Sequence, residues 1–344
     1  MTRALAVRLD SDGDVLLTGP ALRALGSAGT RLDLLVSPAG EQAARLLPGP
    51  HEVIVFDAPW SGYHPPPVDP AAVTDLVERL RRNGYDRAVV FTSFHQSPLP
   101  MALLARLAGI PYVAATSGDY PGSLLDLRHR RVAQHEVAAA LELALATGAR
   151  LPAGDDGRLA VLPAPCDVSA LVPSSSPFVV VHPGASVPSR ALRAGHARRI
   201  VSALLQDGWG VAVTGGRAEA DLVRQATAPG AIDLSGRTSL AQLAAILRRA
   251  ECLVAGNTGP AHLAAAVGTP VVSLFSPVVP VERWQPYGVA SIVLGDQKAA
   301  CKDTRARECP IPGHPCLGEI TPAQVVSAVQ TLATRRPTTR RGAA

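Results

Sequence analysis

With 344 residues, 47% of them hydrophobic, and a mean hydropathy of +0.17, the chain has material for a large buried core and more length than one core usually carries, so two domains are expected. No apolar segment approaches the roughly 20 residues needed to cross a bilayer, and the start MTRALAVRLDSDGD turns acidic too early for a secretory signal; a cytoplasmic protein, at most resting on the inner face of the membrane, is expected. The net charge of +5 would suit a polyanion, but the arginines are scattered and aromatics make up only 4%, which argues against a nucleic-acid partner.

In chain order, apolar runs alternate with helical patterns. Strands are expected at Ala4 to Leu9, Leu32 to Val36, Val53 to Phe56, Ala88 to Phe91 and Val113 to Ala115. The helices between and after them are Val15 to Leu25, Gln42 to Leu47, Ala71 to Arg82, Leu99 to Ala108 and Val132 to Thr147. This repeated βα order predicts an α/β fold with a parallel sheet covered on both faces. Leu171 to Pro177, LVPSSSP, is turn-rich and reads as a hinge. The pattern then restarts with strands at Val179 to Val181, Val211 to Thr214, Ile232 to Leu234, Cys252 to Ala255 and Thr269 to Phe275. Helices are expected at His196 to Asp207, Ala218 to Ala226 and Leu240 to Ala250, and a last one starts at Thr321 with Pro322 in its first turn. The expected division is 1–172, 177–334 and a disordered basic tail, 335–344.

The most informative segment is GNTGPAHLAAA, Gly256 to Ala266. A polar loop opening into a small-residue helix, directly after a buried strand, is suited to hold an anion, with backbone N–H groups of Thr258, Gly259 and Ala261 directed at a phosphate. It lies at a strand's C-terminal end, where open α/β sheets bind ligands. No GxGxxG follows the first strand. DSDGD, Asp10 to Asp14, stands there instead, and its three carboxylates would repel a pyrophosphate. That loop offers a base, and the phosphate site belongs to the second half.

Five cysteines are present. Cys166 and Cys252 fall in apolar surroundings, where a thiol acts as a small hydrophobe. Cys301, Cys309 and Cys316 share a Pro/Gly-rich loop with His314, a set that could form a tetrahedral zinc site. The loop lacks the CxxC element of such sites, and free thiols or one disulfide are the readings that stand against a metal.

RLDSDGDVLLTGPAL, VVVHPGAS, TGGRAE, DLSGRTSLAQLAAILRRAECLVAGNTGPAHLAAAVGTPVVSLF and the cysteine-containing C-terminal loop occur in one order over nearly the whole chain. Together they resemble glycosyltransferase family 9, the ADP-heptosyltransferases. The resemblance implies a GT-B architecture of two Rossmann-like domains facing a central cleft. It further implies an inverting, metal-independent transfer of a sugar, heptose from ADP-heptose, to an acceptor hydroxyl of a glycan, glycolipid or natural product, with no cofactor beyond the nucleotide-sugar donor.

By the same resemblance, Asp14 is the general base that takes the acceptor's proton. Its other reading is a helix N-cap. Ser186 and Arg190 are set against the donor pyrophosphate, where Arg supplies fixed charged donors; the competing reading of Arg190 is a solvated cation among Arg193, Arg198 and Arg199. Glu219 holds the ribose hydroxyls, or is a first-turn residue favoured by the helix dipole. Asn257, Thr258, Gly259 and His262 form the phosphate-cradling turn, with His262 equally readable as a core histidine. Two departures stand out: Leu192, where many relatives carry Trp, and Asn257, where heptosyltransferases carry Asp. Asn loses the charge and gains a donor, so contacts to the donor sugar must change. Asp119 and Tyr120 are acceptor-side candidates. Asp10 and Asp12 read as solvated loop carboxylates, His135 and Glu136 as helix-surface residues, and His182 as a residue shaping the backbone turn. The contrasting functions are a sugar-nucleotide epimerase or isomerase on the same scaffold, and a non-catalytic nucleotide-sugar binder.

Overall fold

Branched and small apolar runs bounded by turns form parallel strands that helices cover on both faces. The computed structural model describes residues 2–62, 64–93, 96–163, 166–172 and 176–334. The chain divides into two compact units, Met1–Leu162 and Pro163–Ala344. This division precedes the LVPSSSP segment, of which residues 173–175 lie outside the described residues, as does the 335–344 tail.

The first unit contains strands β1 (Arg3–Arg8), β2 (Arg31–Val36), β3 (Glu52–Val55), β4 (Arg87–Phe91), β5 (Tyr112–Thr116) and β6 (Leu127–His129). Their order is β3-β2-β1-β4-β5-β6, with every pairing parallel. The second unit contains β7 (Phe178–His182), β8 (Gly210–Val213), β9 (Ile232–Asp233), β10 (Cys252–Ala255), β11 (Val271–Leu274) and β12 (Ser291–Leu294). Their order is β12-β11-β10-β7-β8-β9, again parallel throughout. Read from its other edge, the second sheet repeats the topology of the first. Both sheets reverse direction of winding beside their first strand, between β1 and β4 and between β7 and β10. Ligands of open α/β sheets bind at such switch points.

Three local differences from the sequence reading have identifiable causes. The expected helix from Val15 to Leu25 is two helices, Asp12–Leu17 and Gly19–Leu25, because Pro20 cannot extend the hydrogen-bond ladder; the Thr18 hydroxyl donates to the Asp14 carbonyl at 3.0 Å. The helix expected from Val132 begins at Glu136, where His135 Nδ1 accepts the Val137 N–H at 3.2 Å and caps it. Strand β6 carries no apolar run that would have signalled it; β12 does, in Ile292-Val293-Leu294, and the sequence reading passed over it. The last helix, Pro322–Leu332, starts as expected, with Thr321 Oγ1 accepting from Gln324 N and Gln324 Oε1 accepting from Thr321 N.

Candidate active site

In the first unit the loop leaving β1 is fixed from below and from the side. A Cβ on Gly40 would come within 2.7 Å of Val15 Cγ2 and 2.8 Å of the Asp10 carbonyl, so only glycine lets the two segments approach this closely. The Ser37 hydroxyl donates to the same carbonyl at 2.8 Å, and Asp12 Oδ1 accepts the Ala43 N–H at 2.8 Å. Asp12 is thus committed to the backbone and is not a solvated carboxylate.

Asp14 is the third residue of the helix Asp12–Leu17, and Ser11 occupies the N-cap position. The N-cap reading of Asp14 is therefore corrected. Its side chain, 25% exposed, contacts Arg8 Nη2 at 3.1 Å and accepts from Ser11 Oγ at 3.3 Å. A carboxylate that is oriented yet reachable is the form a general base takes.

Arg8 ends β1 in register with Phe91 of β4, at the switch point. It is 3% exposed, and besides Asp14 it meets Asp10 Oδ2 at 2.8 Å and Ser93 Oγ at 3.0 Å. Burial works against its charge, but Asp10, Asp14 and Glu136 more than offset that and raise its pKa. Asp10 is held on its other side by Gln96 Nε2 at 2.7 Å; burial pushes its carboxyl up to about 6, against the pull of Arg8. Glu136 is buried and paired with Arg131 at 2.6 Å, and Arg131 Nη2 donates to the Thr92 carbonyl at 2.7 Å. Both the solvated reading of Asp10 and the surface reading of Glu136 are overturned. Gln96, in the loop after β4, is remote from Asp10 in sequence, and Arg131 precedes its helix in irregular backbone, so periodicity reveals neither partnership.

Asp119 and Tyr120 follow β5, two strands from β1. Asp119 is exposed and accepts from Ser97 Oγ at 3.2 Å, while Tyr120 is 85% exposed.

In the second unit the loops after β7, β8 and β10 bring the remaining candidates to one sheet end. His182, the last residue of β7, is in register with Ala255 of β10. A Cβ on Gly256 would lie 2.5 Å from the Arg190 carbonyl, so glycine is what lets the β10 loop press against the turn Pro188–Arg190. Ser186 is exposed and Arg190 half-buried. Leu192 is buried in the core, its N–H donating to the Pro183 carbonyl at 2.8 Å. Gly256→Ala is expected to cost about 1–3 kcal/mol through overpacking and to weaken nucleotide binding, as thermal denaturation and calorimetry would measure; unchanged binding would separate Gly256 from the site.

Glu219 is held from three sides. The Gly216 N–H donates to Oε2 at 2.8 Å, His182 Nε2 lies 3.8 Å from the same oxygen, and a Cβ on Gly184 would sit 2.0 Å from Oε1. His182 is also within 3.1 Å of Thr214 Oγ1. Burial lowers its pKa despite Glu219, and at 3.8 Å its Nε2 is a close neighbour of the carboxylate beyond hydrogen-bond reach. The HPGAS motif was the only signal of this neighbourhood in the sequence.

The helix Gly259–Ala266 follows β10 with Thr258 as N-cap in extended backbone, and the Thr258 side chain does not cap it. Ala261 does not join the cradle as expected, because its N–H donates to the Thr258 carbonyl at 3.0 Å. His262 is buried in the first turn. Asn257 is 5% exposed, and its Nδ2 is buried with no hydrogen-bond partner. A buried amide without a partner is costly in an empty site and favourable where a ligand oxygen meets it.

All five cysteines are free thiols; Cys166 is only partly buried, and Cys252, Cys301 and Cys316 are buried. Burial pushes the Cys252 thiol up to about 12, far from reactive thiolate. Among the described residues no group of three or more His, Cys, Asp or Glu side chains is arranged to hold a metal ion. Also among them, no helix is long and apolar enough to cross a membrane.

The chain is 27% identical over 164 residues to lipopolysaccharide heptosyltransferase 3 of Escherichia coli, an alignment that spans 45% of this chain and about half, 46%, of that protein. It is 28% identical over 318 residues to lipopolysaccharide heptosyltransferase 1 of Pseudomonas aeruginosa, covering 85% of this chain and 83% of that one. The solved structure of E. coli ADP-heptose lipopolysaccharide heptosyltransferase II superposes with a TM-score of 0.75 at 20% identity, covering 96% and 98% of the two chains. The model of glycosyltransferase family 9 (heptosyltransferase) matches residues 73–314. With two parallel Rossmann-type sheets of like topology and that match over most of its length, the chain belongs to glycosyltransferase family 9 and is a glycosyltransferase of GT-B fold.

Proposed function

We propose that this enzyme transfers a sugar with inversion and without a metal ion, from a nucleoside-diphosphate donor to an acceptor hydroxyl, with heptose from ADP-heptose as the donor. The observation that carries this reading is Asp14, a reachable carboxylate oriented by Arg8 and Ser11 at a switch point instead of capping its helix. Asp14 removes the hydroxyl proton as the acceptor oxygen attacks the anomeric carbon and the bond to the diphosphate breaks.

In the second unit Arg190 and Ser186 bind the diphosphate, and the Arg190 cation balances charge on the leaving group, work that other enzymes give to a metal. Thr258, Gly259 and His262 complete the phosphate turn at the start of their helix. Glu219, bracketed by His182 and the Gly216 N–H, accepts from the ribose hydroxyls. The buried Asn257 amide supports a sugar oxygen as its partner, a contact that an Asp could make only by accepting. Asp119 and Tyr120 are proposed to border the acceptor, a glycan, glycolipid or natural product. Action in the cytoplasm, peripheral to the membrane where the acceptor is a lipid, fits this substrate class.

The test is a thermal-shift and calorimetric panel of ADP, ADP-heptose, UDP and GDP with and without EDTA. ADP and ADP-heptose are expected to stabilise the protein equally in both conditions, by about 2.7 kcal/mol at a hundredfold excess over Kd. Stabilisation by UDP or GDP alone would remove the heptose donor, and loss of the effect in EDTA would remove metal independence.

A further inference from the structure

Resting on the reading of Asp14 as the base, we propose that Asp10 is a positioning residue for it: by standing against Arg8 Nε as a second carboxylate, Asp10 shares the charge of the guanidinium and keeps Asp14 from being its exclusive ion-pair partner. The geometry is that of one cation between carboxylates. Arg8 presents Nε to Asp10 Oδ2 at 2.8 Å and Nη2 to Asp14 Oδ1 at 3.1 Å, with the Ser93 hydroxyl on the same Nη2 at 3.0 Å.

Asp10 cannot be the base itself. Its side chain is 8% exposed against 25% for Asp14, and Gln96 occupies its other oxygen at 2.7 Å. It reaches the chemistry only through Arg8. The third carboxylate acting on Arg8 is that of Glu136 on the helix Glu136–Ala146, itself neutralised by Arg131 at 2.6 Å. Asp12, the remaining acid of the loop, is turned to the Ala43 N–H. Among the described residues the charged groups acting on this site are therefore Arg8, Arg131, Asp10, Asp14 and Glu136.

The electrostatic consequence has a definite sign. A guanidinium beside a carboxylate favours the charged form, and a like charge disfavours it. Removing the Asp10 charge leaves Arg8 to Asp14, which then holds a proton less readily and accepts one from the acceptor hydroxyl less well.

The experiment is the pH profile of kcat/KM for wild type, Asp10→Asn and Asp10→Glu, with donor Kd measured alongside. The expected result for Asp10→Asn is an acid limb moved down by about one pH unit and a plateau lowered roughly threefold to tenfold, at unchanged donor Kd; Asp10→Glu returns the limb toward wild type. A merely structural Asp10 would lower the amount of folded enzyme without moving the limb, and an unmoved limb in folded Asp10→Asn overturns the proposal. Asp10→Ser serves the same comparison if the amide fails to pack, and if neither neutral variant folds, Asp10 is structural and the proposal falls. Asp14→Asn, run in parallel, separates the two ideas. Full activity there removes the base itself, whereas an inactive Asp14→Asn with an unmoved Asp10→Asn limb removes only the role of Asp10.

Discussion

Asp14→Asn is expected to lower kcat for sugar transfer by about 10²–10⁴-fold, the range a positioned general base contributes, while the Kd for the donor stays within about twofold. The substitution is nearly isosteric. Asn retains one oxygen to accept from Arg8 Nη2, and its Nδ2, standing where the second carboxylate oxygen accepts from Ser11 Oγ, can donate to that hydroxyl oxygen instead, so the start of the helix Asp12–Leu17 should persist. What disappears is the capacity to take a proton. Because nothing in the donor loops of the second unit is altered, the loss should appear in kcat and equally in kcat/KM for the acceptor, the pattern of an interaction made only in the transition state. Hydrolysis of the donor in the absence of acceptor offers a control, since activation of water by the same carboxylate should fall in parallel. Transfer at the wild-type rate would move the base elsewhere in the first unit, and Asp10, at 8% side-chain exposure, is too enclosed to replace it.

What was legible in the sequence follows the range over which each interaction acts. Strand Cys252–Ala255 and the helix after its polar loop are local patterns of apolarity and small residues, and both were read directly. The capping box at Thr321 and Gln324 is likewise contained within one turn. Asp10 illustrates the opposite case. Its acidity and its place in a loop point to solvent, yet it is buried by Gln96, 86 residues away, and by an arginine at the end of the first strand. Glu136 misleads in the same way, because the arginine that neutralises it precedes the helix in an irregular stretch. His182 and Glu219 are joined only because β7 and β8 are neighbours in the sheet, and the glycine at 184 matters through a contact with Glu219 that no spacing rule encodes. The switch points explain the pattern: they collect residues from strands that are adjacent in space and remote in sequence, so the residue types are visible beforehand and the partnerships are not.

Arg190→Ala is expected to reduce kcat by roughly 10²–10³-fold, the effect of removing one group that stabilises developing charge in an enclosed site, with a smaller loss in donor affinity. Charge on the departing diphosphate grows as the glycosidic bond breaks, so a cation at this position gains more from the transition state than from the bound donor. The competing reading, a solvated arginine in a basic stretch, predicts a change of no more than a few fold in either constant. The structure bears on that choice through the backbone. The Arg190 carbonyl lies against Gly256 so closely that a Cβ there would be 2.5 Å away, which ties the turn carrying Arg190 to the loop carrying Asn257 and Thr258. Arg190→Lys refines the test: a point charge restores part of the rate but not the fixed fork of donors suited to two phosphate oxygens, so kcat between those of alanine and wild type is expected. If lysine instead matches wild type, the site asks only for charge; if alanine matches wild type, the leaving group is stabilised by the helix start at Thr258 and Gly259 without Arg190.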